Sequence, residues 1–331
     1  MSEVSAEKKK RWWVWGKRLL TLLFFGMVSA MLFMLVKNLD WQDLKQAVQS
    51  FKASTLLLCI LITMLSYSLF SCYDLLGRIY TGHKLPAKQI LPVAFVCYAF
   101  NLNISAWIGS IALRYRLYSR LGLDLATITR VFSFSLVTNW VGYTLIGGIV
   151  FSLRLLELPA NWSIGTVGLQ LIGIAMLAVS ITYLLACRFA KRRAWSFRQH
   201  ELTLPSLRLA LLQVAMATLN WSLSSLVVFL LLPDKVTYAT VIGIMLISSI
   251  AGVITHIPAG LGVLEAVFIG LLQHEISKGS ILAALIGYRA IYLLLPLLLA
   301  CVVYLVLEKR AKTLRRRTHL RQSGNAICSH K

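Results

Sequence analysis

Charged residues are scarce in this sequence. Only 14% of the 331 residues are charged, whereas 58% are hydrophobic and the mean hydropathy is +0.74. A soluble domain carries about 25% charged residues. The chain contains apolar runs of about 18–28 residues, long enough to cross a bilayer as helices. The composition therefore excludes soluble enzymes, secreted disulfide scaffolds and nucleic-acid-binding modules. The uninterrupted runs exclude outer-membrane barrels, whose strands alternate in polarity.

Sequence motifs for metal binding and catalysis are also absent. The six cysteines form no CxxC pair, which argues against a metal site and against a disulfide framework. The two His-Glu dipeptides, at positions 200 and 274, lack the second histidine of a zinc-binding HExxH motif. We therefore expect no metal, no cofactor and no enzymatic activity. A membrane-embedded lipid-modifying enzyme remains as an alternative, because the absence of motifs is weak evidence.

Six long apolar runs and two interrupted ones are present instead. The full runs cover residues 19–36, 56–76, 131–153, 166–187, 208–232 and 280–307. The interrupted runs, at about 90–120 and 238–273, have short apolar arms around a break near Asn101–Asn103 and around the break 257–262. A broken backbone at membrane depth is tolerated where protein or water satisfies its polar groups. We therefore predict an all-α polytopic membrane protein with six full transmembrane spans and two re-entrant hairpins.

Basic residues decide the orientation of these segments. The sequence has 34 Lys and Arg residues against 12 Asp and Glu, a formal net charge of +22. With residues 90–120 re-entrant, 27 of the basic residues lie on the cytoplasmic side and 6 outside, as the positive-inside rule requires. A full crossing at 90–110 would place the basic loop 188–198 outside. We therefore expect cytoplasmic tails at 1–18 and 308–331, and the charge requires no nucleic-acid partner.

The order of the segments predicts an internal symmetry. Residues 19–153 read as span, span, hairpin from inside and span, and residues 166–307 read as span, span, hairpin from outside and span. Inverted repeats with broken segments at corresponding places are typical of transporters, whose binding site lies near the middle of the membrane. We predict such a repeat. An eight-segment bundle without symmetry is the alternative, because the halves share no clear residue identity.

Ionisable residues in the apolar segments are the first candidates for a site, because each costs at least a few kcal/mol in the bilayer without a partner. Glu265 follows the second break and Arg289 lies within the last span. We expect them to pair, either as a structural ion pair or with Arg289 offering its guanidinium to a phosphate. Asp74 is expected to form an interfacial i,i+4 pair with Arg78.

Polar residues around the first break are further candidates. Asn101 and Asn103 place amides at membrane depth, where they form hydrogen bonds between helices or contact a substrate. Arg114 and Arg116, with Tyr115 between them, suit an interface with phospholipid headgroups, and simple positive-inside anchoring explains them equally well. We include these four residues with Glu265 and Arg289 as candidate substrate-binding residues.

The second break resembles a known signature. Residues His256 to Ala266 are similar to the Pro-Gly-Gly-Leu-Gly-x-x-Glu segment of the lysylphosphatidylglycerol synthase transmembrane-region family, with Ala259 in place of a glycine. The stretch 107–116 resembles the family's other recurrent segment, and the likeness covers about 15–308. The resemblance marks the break residue His256 and the signature positions Pro258, Gly260, Gly262 and Glu265, and less surely Arg114.

The resemblance implies lipid translocation. A related module in the larger members of the family acts as a flippase for aminoacylated phosphatidylglycerol, while a separate soluble domain performs the synthesis. We therefore expect this chain to move membrane phospholipids across a bacterial inner membrane, with anionic phosphatidylglycerol or cardiolipin as substrates. A non-transporting partner of a phospholipid-synthesis enzyme is the main alternative, and a homo-oligomer stays open.

Overall fold

The structure, a computed structural model, describes residue 49 and the ranges 51–104, 111–156, 165–190, 194–197, 200–233, 236–255 and 260–309. The chain divides into two compact units, 1–46 and 47–331, and the described residues belong to the second. Several predicted features lie outside the described residues. They are the first span (19–36), the N-terminal tail, residues 310–331 of the C-terminal tail, and the signature residues His256 and Pro258.

The described residues form a helical protein with one short antiparallel hairpin. Six of its helices are long and apolar enough to cross a membrane: α1, α4, α5, α6, α7 and α9. The elements are α1 (Ala53–Thr81), α2 (Ala87–Asn103), α3 (Ile111–Arg120), α4 (Leu125–Ser152), α5 (Gly165–Phe189), β1 (Ala194–Phe197), β2 (His200–Thr203), α6 (Leu207–Leu231), α7 (Tyr238–Thr255), α8 (Val263–Leu272) and α9 (Lys278–Lys309).

The helices confirm a polytopic α-helical membrane protein. Five of the predicted full spans coincide with α1, α4, α5, α6 and α9. Helix α7 has 18 residues and is long and apolar enough to cross by itself, although its segment was predicted to be one arm of a hairpin. Helix α2 includes Asn101 and ends at Asn103, where the first break was predicted, and α7 ends at Thr255, just before the second predicted break.

Short polar side chains set the starts of three spans. Asp124 accepts a hydrogen bond from the backbone amide of Thr127 at the start of α4, and Ser206 and Ser277 cap α6 and α9 in the same way. Each cap satisfies an amide that has no partner within the helix. Hydrogen bonds from Thr127 also lower the pKa of the exposed Asp124 carboxyl.

Helix α1 packs against α4 and α6 over most of its length. The Ser66 hydroxyl donates to Asn220 Oδ1 (2.7 Å) near the middle of α1 and α6. At the end of α1, Tyr80 donates to the Thr203 carbonyl just before α6 begins (2.7 Å), so α1 and α6 run antiparallel. Tyr80 also stacks on Phe134 with ring centroids 4.6 Å apart. The last turns of α1 therefore lie beside the first turns of α4.

Two glycines allow the closest helix approaches around α4. A Cβ on Gly142 would lie 2.3 Å from Ala217 Cβ and 2.6 Å from the Ala217 carbonyl carbon in α6. A Cβ on Gly173 of α5 would lie 2.5 Å from the Ser152 backbone nitrogen. Small residues at such crossings let backbones approach closely, which is how membrane helices gain packing energy.

We predict that Gly142→Ala lowers the free energy of unfolding by about 1–3 kcal/mol, because the added methyl would overlap backbone that cannot move independently. Gly279→Ala is the matched control. Gly279 also lies in a helix and has no atom within 4 Å of its added Cβ, so this change should be neutral or stabilise by about 0.5–1 kcal/mol. Detergent or thermal unfolding of the purified variants measures both, and equal midpoints would contradict the close crossing.

Candidate functional site

A buried ion pair joins α1 to α3. Arg114 donates to Asp74 through Nη2 (2.8 Å to Oδ1) and Nε (3.3 Å to Oδ2). Tyr118 and Ser135 donate their hydroxyls to the same carboxylate, at 2.7 and 2.9 Å. Asp74 is 0% and Arg114 1% exposed. A buried carboxylate must be neutralised and hydrogen-bonded to persist, and these four bonds from α3 and α4 meet that requirement.

This arrangement corrects the prediction that Asp74 pairs with Arg78. The i,i+4 spacing allows that pair, but Asp74 lies on the face of α1 that packs against α3 and α4, where Arg114 reaches both carboxylate oxygens. Arg114 itself was predicted to lie at the headgroup interface. It is instead one of the largest fully buried side chains, and its guanidinium lies 4.8 Å from the centroid of the Tyr98 ring.

A second ion pair holds the break between α7 and α8, and here the predicted pairing of Glu265 with Arg289 is confirmed. Arg289 donates through Nε to Oε1 (2.7 Å) and through Nη2 to Oε2 (2.9 Å) of Glu265. Nη2 also reaches the Gly260 carbonyl at 3.2 Å, and Glu265 accepts from the Gly262 amide at 2.9 Å. The pair therefore ties the turn before α8 to α9.

The two glycines of this turn adopt conformations that L side chains rarely adopt. Gly260 has φ +57° and Gly262 has φ +79°. A Cβ at either position would be strained by its backbone conformation, although both have open space around them. The glycines thus let the chain turn sharply enough for Glu265 to reach back to the Gly262 amide.

The Asn103 side chain binds the backbone of α9 at a widened turn of that helix. Residues Arg289–Leu294 form a π-helical segment, a rearrangement that is frequent at functional sites. The Asn103 amide donates to the Leu293 carbonyl (3.2 Å) and to the Ala99 carbonyl (2.8 Å), while the Tyr67 hydroxyl donates to the Tyr292 carbonyl (3.0 Å). The end of α2 is therefore bonded to the backbone of α9, and of the two roles predicted for the Asn103 amide the structure shows the hydrogen bond between helices.

Arg116 belongs to an ionic contact at the end of the bundle where α1 finishes. Its Nη2 lies 3.6 Å from Glu308 Oε2, and Arg120 pairs with the same carboxylate. The guanidinium of Arg116 also lies 5.8 Å from the centroid of the Tyr304 ring. Both arginines are partly exposed. Arg116 therefore connects α3 with the end of α9 and does not line the cavity described next.

A cavity of about 400 Å³ lies between the two ion pairs. Of the predicted site residues, Asn101, Arg114 and Gly260 line it, whereas Asn103, Glu265 and Arg289 do not. Its polar lining includes Tyr98, Ser135, Asn139, Asn220, Ser224 and Ser248. A site of this size, mostly apolar with a few converging polar groups, is typical of small-ligand pockets.

Sequence reasoning had not placed most of these lining residues together. Helix α4 contributes Phe132, Ser135 and Asn139, which follow at intervals of three and four and so share one helix face. Helix α7 contributes Met245, with Ser248 and Ser249 three and four residues on. This periodic polar face within otherwise apolar helices was a usable signal, because polar groups in a membrane span avoid the lipid.

Metal chemistry finds no support in the described ranges. They contain no group of three or more His, Cys, Asp and Glu side chains that could hold a metal ion. Among the described cysteines, Cys59, Cys97 and Cys187 are buried.

With this geometry in place, the comparison with protein families is informative. A family model described as the lysylphosphatidylglycerol synthase TM region matches residues 18–300. The chain belongs to this family. The match includes both ion pairs, both helix breaks and every residue of the cavity wall. The transmembrane-region family resemblance read from residues 256–266 is thereby confirmed.

Similar proteins extend this family assignment. The chain is 47% identical over 304 residues to the inner membrane protein YbhN of Escherichia coli, covering 92% of this chain and 96% of YbhN. It is 30% identical over 262 residues to slr0712 of Synechocystis, covering 78% and 80%. It is 22% identical over 295 residues to a phosphatidylglycerol lysyltransferase of Staphylococcus xylosus, covering 85% of this chain but 33% of that protein.

We predict that Arg114→Met lowers the free energy of unfolding by about 3–5 kcal/mol, because Asp74 would stay buried without its cation. The double variant Asp74→Leu with Arg114→Met should recover most of that loss, since no charge is then stranded. Arg120→Ala is the comparison at the exposed pair, where a loss below about 1 kcal/mol is expected. Unfolding in mixed detergent measures these three variants and the single variant Asp74→Leu, which completes the cycle. Strict additivity of Asp74→Leu and Arg114→Met would show that the pair is not coupled.

Proposed function

We propose that this protein translocates phospholipids across the bacterial inner membrane, with anionic lipids such as phosphatidylglycerol or cardiolipin as substrates. The observation that carries the proposal is the cavity of about 400 Å³ inside a bundle of apolar helices, with a few polar side chains and Arg114 in its wall. A headgroup crosses hydrocarbon only where polar groups replace its water. The inner-membrane location is supported by the likeness to YbhN over nearly the whole chain.

The first re-entrant hairpin, α2 with α3, is supported by its end points. Five residues separate the end of α1 from the start of α2, and four separate the end of α3 from the start of α4. Because Tyr80 at the end of α1 stacks on Phe134 near the start of α4, the segment leaves and returns at one end of the bundle. The contacts of Arg116 and Arg120 with Glu308 at the end of α9 agree with this path.

The second hairpin, α7 with α8, is supported at the opposite end. Tyr238 at the start of α7 packs edge-on against Phe229 near the end of α6. Leu231, the last residue of α6, packs against Gly287 in the first third of α9. Since α7 follows α6 and α8 precedes α9, this segment also leaves and returns at one end. Two hairpins that enter from opposite ends favour an inverted repeat of 19–153 and 166–307.

The proposed transport path follows from these two hairpins. The end of α2 contributes Asn101 to the cavity, and the turn before α8 contributes Gly260, so both helix breaks contact the same space. In inverted-repeat transporters, one repeat rocks against the other around a central site. A headgroup would occupy the cavity while the acyl chains stay in the bilayer, and both tails would be cytoplasmic, as the positive-inside distribution requires.

Phosphate binding would use the guanidinium in the wall. Asp74 accepts hydrogen bonds from Nε and Nη2 of Arg114, and a guanidinium carries five N–H donors, more than one carboxylate accepts. The planar fork suits phosphate oxygens. Glu265 and Arg289 would act as positioning residues, because they hold the turn that carries Gly260 into the cavity wall.

A second candidate function is supported by the match to longer proteins. The chain spans about a third of the Staphylococcus xylosus phosphatidylglycerol lysyltransferase, so the corresponding region there is one part of a larger protein. This fits a non-transporting membrane partner of a phospholipid-synthesis enzyme. Such a partner would co-purify with the enzyme and would move no lipid alone.

We predict that the purified protein in liposomes accelerates transbilayer movement of labelled phosphatidylglycerol relative to protein-free liposomes, and that Glu265→Gln slows this movement roughly tenfold. The reason is the loss of one charge-assisted hydrogen bond that holds the cavity turn, worth about 1.5–3 kcal/mol. Fluorescent-lipid reduction assays on one leaflet measure the rate.

Glu275→Gln is the matched control for this experiment. Glu275 is exposed in the turn after α8, so the same change of charge should leave the rate unaltered. No lipid movement from folded wild-type protein would reject translocation in favour of the partner function. Equal rates for Glu265→Gln and wild type would reject the role given to the Glu265 turn.

A further inference from the structure

Two polar side chains in the cavity wall each carry a buried atom that has no hydrogen-bond partner among the described residues. These atoms are the Tyr98 hydroxyl and Asn139 Oδ1. Tyr98 is 5% exposed, and the guanidinium of Arg114 lies 4.8 Å from the centroid of its ring. Both side chains line the same cavity. Because an unsatisfied buried polar atom costs free energy, these two atoms favour a ligand that bonds to them.

The hydroxyl groups of the serines around the cavity already donate hydrogen bonds to other groups of the protein. Ser135 donates to Asp74 (2.9 Å), and Ser224, Ser248 and Ser249 donate to backbone carbonyls of their own helices at 2.8–3.0 Å. A hydroxyl has one proton and two lone pairs, so these oxygens can only accept from a ligand. With Asn139 Oδ1, these oxygens form a group of acceptors in the cavity wall. A ligand that brings hydrogen-bond donors would complement them.

The charges near the cavity decide between two kinds of donor. Asp74 and Glu265, the carboxylates next to the wall in the described part of the chain, are each bound to an arginine through two hydrogen bonds. An ammonium group would find no unpaired carboxylate there, and it would approach the guanidinium of Arg114. Like charges in a low-dielectric site repel strongly. Uncharged hydroxyl groups bring donors without that repulsion.

We propose that the Tyr98 hydroxyl and the Asn139 amide form a subsite for the free hydroxyl groups of a polyol headgroup, beside Arg114 for the phosphate. The ligand class is a phosphodiester lipid whose headgroup carries hydroxyls, as glycerol does, in preference to one that carries an amine. This subsite rests on the proposed function and deepens it, because it specifies which headgroups the cavity accepts. A cavity of about 400 Å³ accommodates such a headgroup.

Three short-chain lipids test the subsite in detergent. Dihexanoyl phosphatidylglycerol carries hydroxyls and one negative charge, dihexanoyl phosphatidylmethanol carries the same charge without hydroxyls, and dihexanoyl phosphatidylethanolamine carries an ammonium. Trp140 and Trp221 line the cavity, so tryptophan fluorescence and calorimetry both report binding. We expect phosphatidylglycerol to bind about three- to tenfold more tightly than phosphatidylmethanol, with phosphatidylethanolamine weakest.

Matched tyrosine variants isolate the hydroxyl. Tyr98→Phe should remove most of the preference for phosphatidylglycerol over phosphatidylmethanol, while binding of phosphatidylmethanol stays unchanged. Tyr73→Phe is the control, because the Tyr73 hydroxyl is also buried without a partner among the described residues but does not line the cavity. Asn139→Leu should act like Tyr98→Phe. If Asn139→Leu does not fold, Tyr98→Phe alone tests the subsite, because phenylalanine keeps the aromatic ring and removes only the hydroxyl.

The outcomes separate this subsite from the proposed function. Equal binding of phosphatidylglycerol and phosphatidylmethanol by a protein that translocates both would overturn the subsite and leave translocation standing. Tighter binding of phosphatidylethanolamine would overturn it in favour of an amine site. A preference that survives both Tyr98→Phe and Asn139→Leu would place hydroxyl recognition elsewhere. Binding and movement of no phospholipid at all would reject the proposed function itself.

Discussion

Neutralisation of charge inside an apolar helix bundle is the constraint on which the rest of this structure depends. An unpaired carboxylate or guanidinium in a low-dielectric interior is unstable, and each of the two buried arginines therefore binds a carboxylate through two hydrogen bonds. Both pairs join separate elements: Asp74 with Arg114 connects α1 to α3, and Glu265 with Arg289 connects the turn before α8 to α9. The pairs thus fix both interrupted segments, and the cavity lies between them.

The interrupted backbone follows from the same physics. Backbone amides and carbonyls released at a helix break must find partners where water is scarce. Glu265 accepts from the Gly262 amide, Arg289 donates to the Gly260 carbonyl, and Asn103 donates to a carbonyl of the π-helical segment in α9. These bonds connect the first hairpin, the second break and the last span around one space. A shift of either break would therefore change the shape of the cavity.

Much of this organisation was predictable from the sequence, because its strongest signals are local. The apolar runs located α1, α4, α5, α6 and α9 to within about six residues, and the glycines with the acid that follows them located the turn 260–262 and its pairing with Arg289. The partner of Asp74 could not be predicted from local spacing. Its spacing from Arg78 is a good helical pair, yet its partner is 40 residues away, because the face of α1 that carries Asp74 packs against α3 and α4. Asn103 was recognised as important, but its structural task depended on the π-helical turn of a helix 190 residues later.

The sequence by itself therefore determined the class of protein, the places where its helices break and the family to which it belongs. Composition, hydropathy and short signatures depend on the residues of one helix or one turn. They can therefore be interpreted without knowing which other helices pack against that segment. Only the tertiary structure decided which side chains meet: the Asp74 partner, the polar faces of α4 and α7 around the cavity, and the unsatisfied atoms of Tyr98 and Asn139. Such contacts depend on how whole helices rotate and cross, which is set by close packing at residues such as Gly142 rather than by local preference.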